Sequence, residues 1–143
     1  MYRVGPLFTD LYELTMAACY FERQIDTEAT FSLYLRGCPA SRNYYVAAGL
    51  ENALDQLEGY SFSASDIAYL ESTGLFSPRF IDFLKQFQFS GEIVALPEGT
   101  IFFPNEPILE VTAPILEAQI LETFLLNTIG FATLIATKAS RCV

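Results

Sequence analysis

The sequence predicts an α+β fold, and three observations carry that prediction. Apolar residues recur at helical spacing near both ends of the chain. Phe31, Leu33 and Leu35 alternate with Ser32, Tyr34 and Arg36, the period of a strand with one buried face. After residue 92, short apolar runs are broken by turn-forming residues. Helices and strands therefore come in blocks, not in the regular alternation that builds a parallel sheet.

Taken in order, Asp10 is placed to cap a first helix, with Glu13 three residues later completing a capping-box-like pair. Leu11, Leu14, Ala18 and Phe21 form its stripe, and it should end near Arg23. A strand follows over residues 29–36, then a loop by composition over residues 37–43. Val46, Leu50, Ala53, Leu54 and Leu57 make a second helical stripe. Two short helices with clear starts come next. Ser63 caps the first, Asp66 takes its third position, Phe62 staples onto Ile67, and Gly74 stops it in a left-handed conformation. Ser77 caps the second, Pro78 opens it and Phe76 staples onto Ile81. Strands are expected at residues 92–96, 100–103 and 108–112, with turns at Pro97-Glu98-Gly99 and at Pro104-Asn105-Glu106-Pro107. Pro114 opens a long helix, Gly130 is placed to break or kink it, and a final helical pattern runs from Phe131 to the end.

Composition narrows the function. The 143 residues make about one domain, long enough to bury roughly 70% of the surface of its unfolded chain. With 52% hydrophobic residues, 13 Phe and 8 Tyr, the core should be large and aromatic. Mean hydropathy is +0.30 with only 17% charged residues, which suggests a surface built to meet another domain or subunit. A net charge of −9 argues against nucleic acid and against an anionic membrane surface. No apolar targeting segment stands in residues 1–9, and the apolar stretch 123–136 is too short to span a bilayer. Three widely spaced cysteines, Cys19, Cys38 and Cys142, form no CxxC pair and fit reduced thiols in a cytoplasmic protein. Histidine is absent, which removes histidine-based nucleophilic catalysis and most transition-metal sites. Residues 137–143 have helical composition and no stop signal, so the chain reads as the N-terminal piece of something longer.

Four collinear segments carry a resemblance. They are Leu7-Phe8-Thr9-Asp10-Leu11-Tyr12-Glu13-Leu14-Thr15-Met16, then Phe31-Ser32-Leu33-Tyr34-Leu35-Arg36-Gly37-Cys38-Pro39, then Ala47-Ala48-Gly49-Leu50, and the run from Leu96-Pro97-Glu98-Gly99 through Phe103-Pro104-Asn105-Glu106-Pro107-Ile108-Leu109. Leu121-Glu122-Thr123-Phe124-Leu125-Leu126-Asn127 and Ala136-Thr137-Lys138-Ala139-Ser140-Arg141 extend it. Together they resemble the nicotinate phosphoribosyltransferase family. The resemblance implies transfer of phosphoribose from phosphoribosyl pyrophosphate to nicotinate for NAD synthesis, with Mg2+ and coupled ATP hydrolysis in the complete enzyme. It implies an N-terminal α/β domain over residues 1–143, with residues 114–143 leading toward an absent α/β barrel. It also implies a homodimer whose active site is shared between subunits. Tyr12 matches the tyrosine that stacks on the pyridine ring, Arg36 an arginine that approaches the phosphates, and Asp10 lies beside the same pocket. The family's phosphorylated histidine and its carboxylate-reading arginine belong to the barrel. No catalytic or metal-ligating residue is therefore assigned to this chain, and no cofactor is expected on it alone.

Each of these residues has a plainer reading. Tyr12 alone is an ordinary half-buried helix tyrosine; as a stacking face its ring would be worth roughly 0.5–1.5 kcal/mol beyond area burial. Arg36 alone is a solvated strand-end arginine, although its guanidinium suits a bidentate grip on phosphate. Lys138 and Arg141 sit one helical turn apart and fit a helix C-terminus better than a phosphate site. Glu13, Glu117 and Glu122 read as caps or as surface and interface acids. Two other functions stay open: a non-catalytic dimerisation or docking domain, and a relative acting on nicotinamide or quinolinate.

Overall fold

The structure is a computed structural model and describes residues 4–37 and 43–142. Ten elements follow one another: α1 (Leu11–Glu22), β1 (Glu28–Tyr34), β2 (Tyr45–Val46), α2 (Leu50–Leu57), α3 (Ala64–Thr73), α4 (Pro78–Lys85), β3 (Glu92–Ala95), β4 (Ile101–Phe102), β5 (Pro107–Pro114) and α5 (Ile115–Ala139). The α+β class is as expected.

The main sheet has three antiparallel strands in the order β1-β5-β3. Phe31 lies opposite Val111 and Leu33 opposite Leu109, so the alternating apolar residues of both strands share one face. That face meets α5. Its Leu116, Ala118, Ile120, Leu121, Phe124, Leu125 and Ile129 are buried, Ile120, Leu121 and Phe124 completely. Strand β5 runs into α5 with no intervening loop: Pro114 is both the last residue of the strand and the N-cap position of the helix, without a side-chain cap bond. On its other side α5 packs against α1. An aromatic cluster closes the far end, where Phe80 stacks on Phe83 and Tyr60 lies against Phe87 and Phe124.

The second sheet is a two-stranded pair, β2 with β4. The short runs on either side of the Pro97-Glu98-Gly99 turn therefore belong to different sheets: β3 joins β5 and β4 joins β2. Two buried threonines of α5 serve the free edge of β2. Thr137 Oγ1 accepts from Val46 N at 2.9 Å, and Thr133 Oγ1 accepts from Ala48 N and donates to Ala48 O, both at 3.2 Å. Hydroxyls thus satisfy backbone groups that a third strand would otherwise take.

Several local expectations hold. Ser63 and Asp66 form a reciprocal capping box, and Gly74 closes α3 at φ 66°. The Ser77 side chain accepts from Phe80 N and Pro78 opens α4. Others need correction. Asp10 occupies the N-cap of α1 without a side-chain cap bond, and its partner Glu13 is turned inward and fully buried. Leu11 is exposed, so the buried stripe of α1 runs through Leu14 and Ala17 with Ala18 and Phe21 beside it. Val46 is in a strand, and Leu54 faces out of α2. Gly130 neither breaks nor kinks the final helix into two: α5 is continuous over 25 residues. The apolar stretch 123–136 is part of this longer helix, which by length and composition alone could cross a membrane. Its apolar content is explained by burial against both sheets and α1. The loop expected over residues 37–43 lies mostly outside the described residues, as do Cys38 and Val143; Cys19 and Cys142 are free and exposed.

Candidate binding site between the first and last helices

The start of α1 lies against the first half of α5, where side chains of the two helices and of Thr9 and Asp10 hydrogen-bond to one another. Tyr12 sits in the first turn of α1 with 46% of its surface exposed. Its hydroxyl donates to Glu122 Oε1 at 2.9 Å, and the other oxygen of Glu122 accepts from Gln119 Nε2 at 2.8 Å. One residue on, Thr123 Oγ1 donates to Glu13 Oε1 and, at 3.4 Å, to Asp10 Oδ2. Thr9 Oγ1 donates to the other oxygen of Glu13. Helical geometry explains the grouping: Gln119, Glu122 and Thr123 lie three and four residues apart, hence on one face of α5.

Charge is unevenly compensated here. Burial raises the Glu13 carboxyl above its ordinary range and the nearby Glu122 adds to the effect, while the hydroxyls of Thr123 and Thr9 pull it down. Desolvation first, and then the Glu122 carboxylate, push the Tyr12 phenol well above its usual value. Tyr12 is thus a hydrogen-bond donor throughout the ordinary pH range. Among the described residues, the ion pairs are those of Lys85 with Glu71 and Asp82, far from this cluster in the chain.

Arg36 lies just beyond β1. The carbonyl of Leu35 before it accepts from Asn105 N at 2.9 Å, and the carbonyl of Gly37 after it accepts from the Tyr45 hydroxyl at 2.7 Å. The backbone is therefore pinned on both sides while the side chain is exposed. Asn105 reaches this position in a left-handed turn, at φ 65°. Arg36 lines a cavity of about 360 Å³ between the β1–β5 face and α5. Glu122 lines the same cavity, together with Phe31, Leu33, Val111 and Leu125.

The structure thus brings Tyr12 and Asp10 together at one helix start and sets Arg36 on a cavity that also touches Glu122. Glu122, read from sequence as a cap or surface acid, is the hub of this arrangement. Glu13 is buried, and Glu117 holds the Ser90 backbone and hydroxyl instead of capping a helix. No sequence signal marks Glu122, because its partner Tyr12 is 110 residues away. At the chain end, Arg141 lies over the Tyr44 ring at 5.5 Å from its centroid, and Lys138 falls in the last turn of α5, as the plainer reading expects.

The site is thus a half-exposed aromatic ring flanked by carboxylates on an α+β domain, with an apolar cavity nearby that Arg36 and Glu122 line. Comparison with known proteins supplies the family. Residues 7–130 match the family model of the nicotinate phosphoribosyltransferase (NAPRTase) N-terminal domain. Nicotinate phosphoribosyltransferase pncB2 of Mycobacterium tuberculosis is 45% identical over 140 residues, covering 98% of this chain and 30% of that protein. The nicotinate phosphoribosyltransferase of Bacillus subtilis is 43% identical over 136 residues, 94% of this chain and 28% of its own length. The crystal structure of human nicotinic acid phosphoribosyltransferase superposes with a TM-score of 0.84 at 36% identity, over 93% of this chain and 27% of that one. A nicotinate-nucleotide pyrophosphorylase from Pyrococcus furiosus shares the fold, with a TM-score of 0.63 at 21% identity. The chain belongs to the nicotinate phosphoribosyltransferase family, as its N-terminal domain, and spans about 30% of the length of the relatives it matches.

Proposed function

We propose that this chain is the N-terminal part of an enzyme that transfers phosphoribose from phosphoribosyl pyrophosphate to nicotinate. The products would be nicotinate mononucleotide and pyrophosphate, in the cytoplasmic synthesis of NAD. The observation that carries the reading is Tyr12: a ring 46% exposed at a helix start, tethered by its hydroxyl, within the domain that the family model covers. A flat ring held at one end is suited to stacking on a pyridine. Arg36 would approach phosphate and Asp10 would border the base. The transition state is cation-like at the ribosyl carbon, so the protein chiefly positions and neutralises, and no nucleophile from this chain is needed.

Mg2+ and coupled ATP hydrolysis belong to the complete enzyme in this reading. The chain contains no histidine to carry a phosphoryl group, so that role would fall to a part of the enzyme outside these residues. In the same reading the complete enzyme is a homodimer with a shared site. The exposed apolar side chains of α5, Leu126, Phe131, Leu134 and Ile135, are the surface that supports it.

The test is steady-state kinetics of the complete protein carrying Tyr12→Ala. The expected result is a KM for nicotinate raised about tenfold, matching the loss of a stacking contact of about 1.4 kcal/mol. Kinetics unchanged from wild type would remove Tyr12 from the site.

A further inference from the structure

We infer that Glu122 is a positioning residue for the base-binding ring, acting through the Tyr12 hydroxyl. This rests on the reading of Tyr12 as the stacking residue and adds the device that fixes its orientation.

A tyrosine in the first turn of a helix, with nearly half its surface exposed, has free torsions to lose when a ligand stacks on it. Ordering such a side chain at the moment of binding weakens affinity, and holding it beforehand avoids that loss. The structure contains such a hold. Tyr12 donates to Glu122 Oε1 at 2.9 Å, at the far end of the ring, where a tether best limits its swing. Glu122 is itself restrained, because its second oxygen takes the amide of Gln119 at 2.8 Å. Gln119 is 3% exposed and belongs to the buried face of α5. The chain Gln119–Glu122–Tyr12 therefore roots an exposed ring in the core across 110 residues of sequence. Because the phenol is held above its ordinary range, the donor persists at any pH at which the enzyme would be assayed.

The plain alternative is that the contact only adds stability between α1 and α5. The two differ in a double-mutant cycle read in kinetics. The complete protein would be assayed at saturating phosphoribosyl pyrophosphate as Tyr12→Phe, Glu122→Ala, the double variant and Glu122→Gln. If Glu122 acts through the hydroxyl, Tyr12→Phe and Glu122→Ala each raise the KM for nicotinate roughly 3- to 10-fold, with kcat within about twofold. The double variant is then no worse than either single one. Glu122→Gln keeps an acceptor for the phenol and restores most of the KM. Additive effects in the cycle, or an unchanged KM in Tyr12→Phe, would overturn the inference. Should Glu122→Ala fail to fold, Tyr12→Phe still decides, since it removes the same bond and leaves Glu122 and Gln119 in place. Tyr12→Ala separates the two levels: if it raises KM while Tyr12→Phe does not, the stacking reading stands and the positioning role falls. If Tyr12→Ala leaves KM unchanged, the stacking reading itself falls.

Discussion

A carboxyl group shut away from water is costly unless its charge is compensated, and Glu13 shows how one chain manages that. Its two oxygens take the hydroxyls of Thr9 and Thr123, neutral donors that satisfy hydrogen bonding without supplying positive charge. Burial dominates, so the folded carboxyl holds its proton to a higher pH than its ordinary value of 4.5. Between that value and the raised one, the folded state binds more protons than the unfolded chain, and stability falls as pH rises. The contribution is complete below the ordinary value and is lost as pH passes the folded one. Glu13→Gln cannot ionise and escapes the loss. Chemical denaturation of both proteins at a series of pH values rising from 4.5 should show wild type losing stability relative to Glu13→Gln as the pH rises. A stability difference independent of pH would mean that the carboxyl is not perturbed. The pattern Asp10-x-x-Glu13 has the spacing of a capping box, and that is why the sequence suggests a cap. Which way Glu13 turns depends on Thr123, a residue no local pattern connects to it.

Elements whose ends are set by their own neighbours match expectation, and those set by distant partners do not. The capped starts of α3 and α4 need only Ser63, Asp66, Ser77 and Pro78, all within one turn. Val46 has helical spacing with Leu50, yet it pairs with Ile101 and gives its N–H to Thr137. Local periodicity cannot register such a partner. Gly130 is expected to interrupt α5, but a helix held on several sides by packing tolerates the modest cost of one glycine, about 1 kcal/mol. Gly49 is the stricter case. It holds φ 99° at the start of α2, and a Cβ there would come within 2.9 Å of the Ala132 Cβ and of the Thr128 carbonyl on α5. Gly49→Ala should therefore destabilise by about 3 kcal/mol, combining a strained backbone with a forced approach of two helices. Gly99 at φ 80° faces open space, and Gly99→Asn should cost less than about 1 kcal/mol. Equal losses for the two variants in thermal unfolding would show that the contact with α5 is not the cause.

At the scale of the whole molecule, α5 organises everything. One side carries the main sheet, another carries α1, and its C-terminal half supplies the hydroxyls that complete β2. Its remaining apolar side chains, with Phe131 69% exposed, face outward. Under the proposed function these belong to a dimer with a shared site, so activity of the complete protein should track the dimer in sedimentation. A monomer with full activity would remove the shared-site reading. By itself the sequence determined the α+β class, most helix starts, the strand alternation of Phe31 and Leu33, and the family, because these depend on neighbours within a turn or on collinear motifs; Leu35 falls just past the end of β1. Tertiary structure alone decided that β3 and β4 part into separate sheets, that Glu13 is buried, and that Glu122 meets Tyr12. Those outcomes are contacts between residues tens to a hundred positions apart, formed only when α5 packs against α1 and the sheets.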